Sequence, residues 1–240
     1  MQCISIFRLI KLTILSFLFI FYSYKISYAE MSSLGVLTGG TSSFAWGASG
    51  DGSVIVGQSG STDGNRAFKY DSTNGMTSLG VLTGGTNSGA VDVSSNGSVI
   101  VGLSSSTDGI RAFKYVDGTM TSLGVLTGGT NSGAVGVSSD GSVIVGYSGS
   151  TDGNRAFKYV DGTMTSLGVL TGGTSSFAWD VSNDGLVIVG YSGSTDGNRA
   201  FKYVDGTMTS LGVLTGGTSS FAYGASGDGS VIVGQSGSTD

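Results

Sequence analysis

The 240-residue sequence has no histidine and one cysteine, Cys3. Without histidine it lacks the commonest general base and metal ligand. Cys3 lies in a stretch that reads as a removable leader, so the mature chain has no thiol for a disulfide or for catalysis. Positive charge is scarce too. Three of the 11 Lys and Arg residues (Arg8, Lys11 and Lys25) fall in the first 29 residues, which leaves 8 cations against 16 acids from Glu30 onward, a net charge of −8. A chain this acidic suits nucleic acid poorly, because phosphate neutralisation dominates that affinity. Long apolar runs are also missing. The run 12–24 is uncharged but short of the roughly 17–25 residues that a membrane span needs. Its basic start and the Ser27-Tyr28-Ala29 pattern read as a secretory signal peptide cleaved after Ala29, with an uncleaved anchor as the alternative. Past residue 30 no window sustains the 3.6-residue apolar period of a helix.

What the sequence does have is repetition. Nearly the same text begins at Met31, Met76, Met120, Met164 and Met208, at spacings of 45, 44, 44 and 44 residues. The expected organisation is a signal peptide at 1–29 and one repeat domain at 30–240, with units 31–75, 76–119, 120–163, 164–207 and a partial 208–240. A period of this size marks a stacked or circular array. Each unit has four short runs of β-branched and aromatic residues separated by Gly, Ser, Asn and Asp, in the first copy at 32–37, 44–49, 53–59 and 66–70. Asp-Gly or Asn-Gly sits between the second and third runs of every copy, the chemistry of a tight antiparallel hairpin. Val-Ile-Val in the third run predicts a strand covered on both faces. The more alternating R-A-F-K-Y run suits an outer edge, and the small residues of the second run suit a crowded strand near an axis. The expected fold is therefore all-β: a propeller-like array of four-stranded antiparallel blades, about five repeats with the last truncated. A β-solenoid is the alternative.

The segments A-W-G-A-S-G-D-G-S-V-I-V-G (45–57), R-A-F-K-Y (66–70) and M-T-S-L-G-V-L-T-G-G (76–85) together resemble the bacterial extracellular HAF-type repeat family. The likeness covers essentially all of 31–240. The chain departs from the pattern at Arg66, Arg111, Arg155 and Arg199, where the family name expects His. The resemblance implies an exported protein at the bacterial outer membrane or outside the cell, often the passenger part of an autotransporter. It brings no catalytic residues. An autotransporter also carries a C-terminal membrane barrel, and no part of 31–240 reads as one.

Chemistry-bearing motifs are sparse. Asp51, Asp63, Asp108, Asp140, Asp152, Asp184 and Asp196 all precede Gly, where turns need their local hydrogen bonds. No calcium-loop spacing occurs, the Thr-Gly-Gly-Thr stretches lack the ending of a phosphate loop, and no Ser has a His or suitable Lys beside it. No metal or cofactor is expected. The four R-A-F-K copies read either as an edge strand protected by its charges or as a basic ladder for an anionic glycan. One feature breaks the symmetry. Phe44 and Trp46, Phe177 and Trp179, and Phe221 and Tyr223 stand where the second and third copies have Gly89 and Val91, and Gly133 and Val135. In a closed ring, copies four, five and one would be neighbours and these aromatics would gather on one side, as a binding face or as ordinary packing.

The function expected from these residues is a non-catalytic interaction or adhesion module, secreted or on the cell surface. Its partner would be a host or cell-surface protein or a glycan, with no nucleic acid and no membrane span in the mature chain. Because the last copy stops before R-A-F-K-Y, self-association through an open strand edge is also expected. The alternatives are a glycan-acting propeller hydrolase that uses carboxylates, and a fragment of a longer autotransporter passenger.

Overall fold

The computed structural model describes residues 31–239; the leader segment and its cleavage site lie outside them. The chain divides into two units, Met1–Ser33 and Leu34–Asp240, and the strands described below all belong to the second.

Eighteen strands occur among the described residues, and none of those residues is helical. No helix among them is long and apolar enough to cross a membrane. The first blade is β1 (Ser43–Ala48), β2 (Val54–Ser59), β3 (Arg66–Asp71) and β4 (Gly75–Gly80). The second is β5 (Ser88–Val93), β6 (Ile100–Ser106), β7 (Gly109–Val116) and β8 (Thr119–Gly124). The third is β9 (Ser132–Val137), β10 (Ile144–Ser148), β11 (Arg155–Val160) and β12 (Thr163–Ser166). The fourth is β13 (Ser176–Val181), β14 (Ile188–Ser192), β15 (Arg199–Val204) and β16 (Thr207–Ser210). A last pair, β17 (Ser220–Ala225) and β18 (Ile232–Ser236), begins a fifth. Strands follow one another in sheet order, so each blade is a meander. Every pairing is antiparallel, which excludes the parallel rungs of a solenoid.

The blades are out of phase with the Met-to-Met copies. The run 32–37 forms no strand, and each later M-T-S-L segment is the outermost strand of the preceding blade. R-A-F-K-Y is thus the third strand, hydrogen-bonded on both sides, rather than the edge. Turn geometry explains the difference. In V-D-G-T both central residues have positive φ, 49° at Asp117 and 80° at Gly118, as in the I′ turn that best joins two twisted strands. The hairpin therefore folds back at V-D-G-T instead of passing to a new blade. In the D-G and N-G turns between the first and second strands only the glycine after Asp or Asn has positive φ. There the aspartate caps the loop: Asp51 accepts hydrogen bonds from Ser49 Oγ, Ser53 N and Ser53 Oγ. Those donors hold its carboxyl at about 2, the Ser53 amide contributing most.

Neighbouring blades bury each other. Val56, Val101, Val145 and Val189 are completely buried, as are Phe68, Phe113, Phe157 and Phe201 on the third strands. Each valine packs against the alanine of the next blade's first strand, as Val189 does against Ala222. Polar groups repeat across the same seams. Arg111, Arg155 and Arg199 each donate through Nη1 to a threonine carbonyl of the next blade, Thr130, Thr174 and Thr218, at 2.6, 2.7 and 2.8 Å. From the second blade on, the serine opening the first strand accepts from the preceding blade's third strand, as Ser132 Oγ does from Ala112 N. A backbone chain links the turns: the N–H groups of Gly50, Ser95, Ser139 and Asn183 donate in turn to the carbonyls of Ser95, Ser139, Asn183 and Gly227. Lys114 and Lys158 lie over Tyr159 and Tyr203 of the following blade. The R-A-F-K arginines, with Lys114 and Lys158, are therefore engaged in joining blades.

Candidate functional site: an aromatic axial cavity

The first strand of every blade carries one residue too many. Ala45 pairs with Gly57 and Gly47 with Val56, which leaves Trp46 unpaired in a bulge. The same irregularity leaves Val91, Val135, Trp179 and Tyr223 unpaired. A bulge bends its strand and re-aims the extra side chain. It also forces the backbone close to the partner strand: a Cβ at Gly57 would strike the Phe44 carbonyl. That is the physical reason for the glycine ending each V-I-V-G.

These five bulged side chains come together. Trp46, Val91, Val135, Trp179 and Tyr223, with Asp92, Leu103 and Asp180, line one open cavity of about 560 Å³. Residues from five separate blades share it, so the first strands surround a common axis. An aromatic stack runs from the cavity wall. Phe177 lies 5.5 Å from Tyr147 and 5.1 Å from Tyr191, Tyr191 lies 5.0 Å from Phe221, and Trp179 lies 6.4 Å from Tyr223. Trp179 Nε1 is buried without an acceptor among the described residues.

Four of the six aromatics singled out in the sequence, Phe177, Trp179, Phe221 and Tyr223, join this stack. Trp46 lines the cavity but sits elsewhere on its wall, over Gly89, where a Cβ would come within 3.1 Å of its ring. Phe44 does neither; it is exposed on the uncovered side of the first blade. Among the described residues copies five and one do not bury each other: Ala45 and Val233 are both exposed. Tyr147 and Tyr191 were not anticipated. Their signal lay in the residue after V-I-V-G, which reads Gln58, Leu103, Tyr147, Tyr191 and Gln235 and pairs directly with the Phe/Gly position.

Two carboxylates were also missed. Asp92 Oδ1 accepts from Val93 N at 2.8 Å, and its Oδ2 accepts from Val137 N of the next blade at 2.9 Å. Asp180 repeats this with Val181 N and Ala225 N, both at 2.8 Å. Burial pushes both carboxyls above their usual range, against the pull of those N–H donors, and the charge of Asp180 raises Asp92 further. The other blades have Gly47, Gly136 and Gly224 at this position. Unlike the turn aspartates, Asp92 and Asp180 precede Val rather than Gly, a signal that was present in the sequence.

No protein-family model matches the chain, and no curated protein does. Solved structures are similar in shape. A putative TolB from Agrobacterium tumefaciens superposes with a TM-score of 0.57 at 16% identity, covering 83% of this chain and 72% of its own. TolB from Acinetobacter baumannii gives 0.54 at 15% identity, covering 83% of this chain and 52% of its own. At these identities the likeness concerns the fold alone: this chain has the blade architecture of a β-propeller.

Proposed function

We propose that the chain is an exported, non-catalytic interaction module that meets its partner at the axial cavity. The observation carrying this reading is the convergence of Trp46, Trp179 and Tyr223 from three blades on one open cavity. Aromatic side chains offer large, rigid contact surface, and half-exposed clusters of them are typical binding anchors. Export follows from the leader read at 1–29, and the HAF-type resemblance adds a cell-surface or secreted setting. A mature chain without histidine or thiol also lacks the usual nucleophile and base pairs.

The test replaces Trp46 and Trp179 with Val, the residue that the second and third blades carry there. Adhesion to the partner surface should fall while the far-UV spectrum and melting temperature stay close to those of the parent. Unchanged adhesion contradicts the reading.

One observation favours a glycan-acting enzyme instead: Asp92 and Asp180 are raised carboxyls on the same cavity, as glycosidases require of their acid. Release of reducing ends from glycans by the secreted protein, lost in Asp180→Asn, would establish that alternative.

A further inference from the structure

The axial cavity combines half-buried carboxylates with aromatic walls. Each oxygen of Asp92 and Asp180 accepts from a backbone N–H. Those donors are neutral, so two like charges stay uncompensated beside one cavity. No Lys or Arg lines it. Every cation past residue 30 belongs to an R-A-F-K segment on a third strand, and the one ion pair among the described residues is Lys69–Asp71. Trp46, Trp179 and Tyr223 form the remaining polarisable wall, with Val91, Leu103 and Val135 between them.

Each half of this lining selects the same chemistry. The face of an aromatic ring attracts a cation through its quadrupole, tryptophan most strongly. A carboxylate partly withdrawn from water attracts it through charge, more strongly than at an exposed surface. A neutral sugar would use the rings and leave the two charges unmatched. The geometry points to an organic cation as the ligand: an alkylammonium group whose charge sits near Asp92 and Asp180 and whose apolar body meets Trp46, Trp179 and Tyr223. This inference rests on the proposed reading of the cavity as the binding face. Two sources supply the chemistry, a free quaternary amine and a lysine side chain on a polypeptide.

Calorimetric titration of the full chain decides the matter. The probes are choline, its uncharged carbon isostere 3,3-dimethyl-1-butanol, glucose, and a lysine-bearing peptide with its glutamine counterpart. At least one cationic probe should bind, at least tenfold more tightly than its neutral partner. Binding of choline assigns free amines, and binding of the lysine peptide alone assigns a polypeptide. Asp92→Gly with Asp180→Gly, the residue the other blades carry, should abolish the preference for charge. Asp92→Asn with Asp180→Asn, which keeps an acceptor for the neighbouring blade, should do the same if the glycine pair does not fold. Trp46→Val should weaken binding several-fold. The inference is overturned if no cationic probe binds, if the neutral isostere binds equally well, or if glucose binds as tightly as choline. Loss of adhesion in the Trp46 and Trp179 variants without cation binding would retain the binding face and reject only this ligand class.

Discussion

Residues 31–63 and 208–240 differ only at Ser32/Thr209 and Trp46/Tyr223, yet the two copies bury opposite sides. Val56 is 0% exposed and its counterpart Val233 is 60% exposed; Leu37 and Leu214 are 8% and 61%. On the other side the order reverses: Ala222 is buried against the fourth blade while Ala45 is exposed. Among the described residues, the first copy packs against the blade that follows it and the last copy against the blade that precedes it. Burial is therefore conferred by the neighbouring blade and not by the unit's own sequence. Full burial of a Val or Leu side chain stabilises by roughly 1.5–3 kcal/mol, so a unit on its own forfeits most of its core. That dependence on nearest neighbours is the energetic signature of a repeat array.

The two bare sides are complementary, because they repeat the two halves of each internal seam. Gly227 N–H and Gly50 C=O end the backbone chain that links the turns, and Val233 faces outward where Val56, Val101, Val145 and Val189 meet an alanine. The largest expected effect follows from this match. Light scattering on residues 30–240 should show the mean mass rising with concentration as copies join head to tail, and Val233→Lys should hold the protein at the mass of one chain. A compact monomer at every concentration would break the comparison.

A smaller effect concerns pH and sharpens the contrast between the axis and the turns. Asp92 and Asp180 have folded values raised above the usual 3.8. Their contribution is therefore most favourable below the unfolded value and declines as pH rises through the folded values. Asp51 and Asp228, held at about 2 by their serine donors, contribute in the opposite sense; their stabilisation is present above 3.8 and is lost as pH falls toward 2. Denaturant midpoints should rise slightly as pH falls from neutrality through the raised values of Asp92 and Asp180, and fall again as pH drops from 3.8 toward 2. In Asp92→Gly with Asp180→Gly the first change should disappear and the second remain. An identical profile in the parent and the double variant would show that the axial carboxyls are not perturbed in the folded state.

Much of this architecture was legible because the repeat imposes it locally. The 44-residue period, the glycine-bearing turns and the doubly covered Val-Ile-Val strand each follow from residues within one unit. The phase of the blades was not, because whether M-T-S-L closes one blade or opens the next depends on the backbone at Asp117-Gly118 and on the partner strand. Phe44 shows the limit most sharply. Its local sequence matches that of Phe221 except at Trp46/Tyr223, yet Phe221 joins the aromatic stack and Phe44 faces solvent. Asp92 and Asp180 were readable in principle, since their following Val removes them from the turn class. Their reach to Val137 and Ala225 of the next blade is a tertiary fact.

Paired substitution at Val56 and Val233 tests the central claim most directly, because the residue and its flanking sequence are the same at both sites. In denaturant unfolding of monomeric protein, Val56→Ala should cost roughly 1–3 kcal/mol through lost burial and cavity formation, and Val233→Ala less than about 0.5 kcal/mol. Equal losses at the two positions would mean that each unit stabilises itself, and would contradict the account.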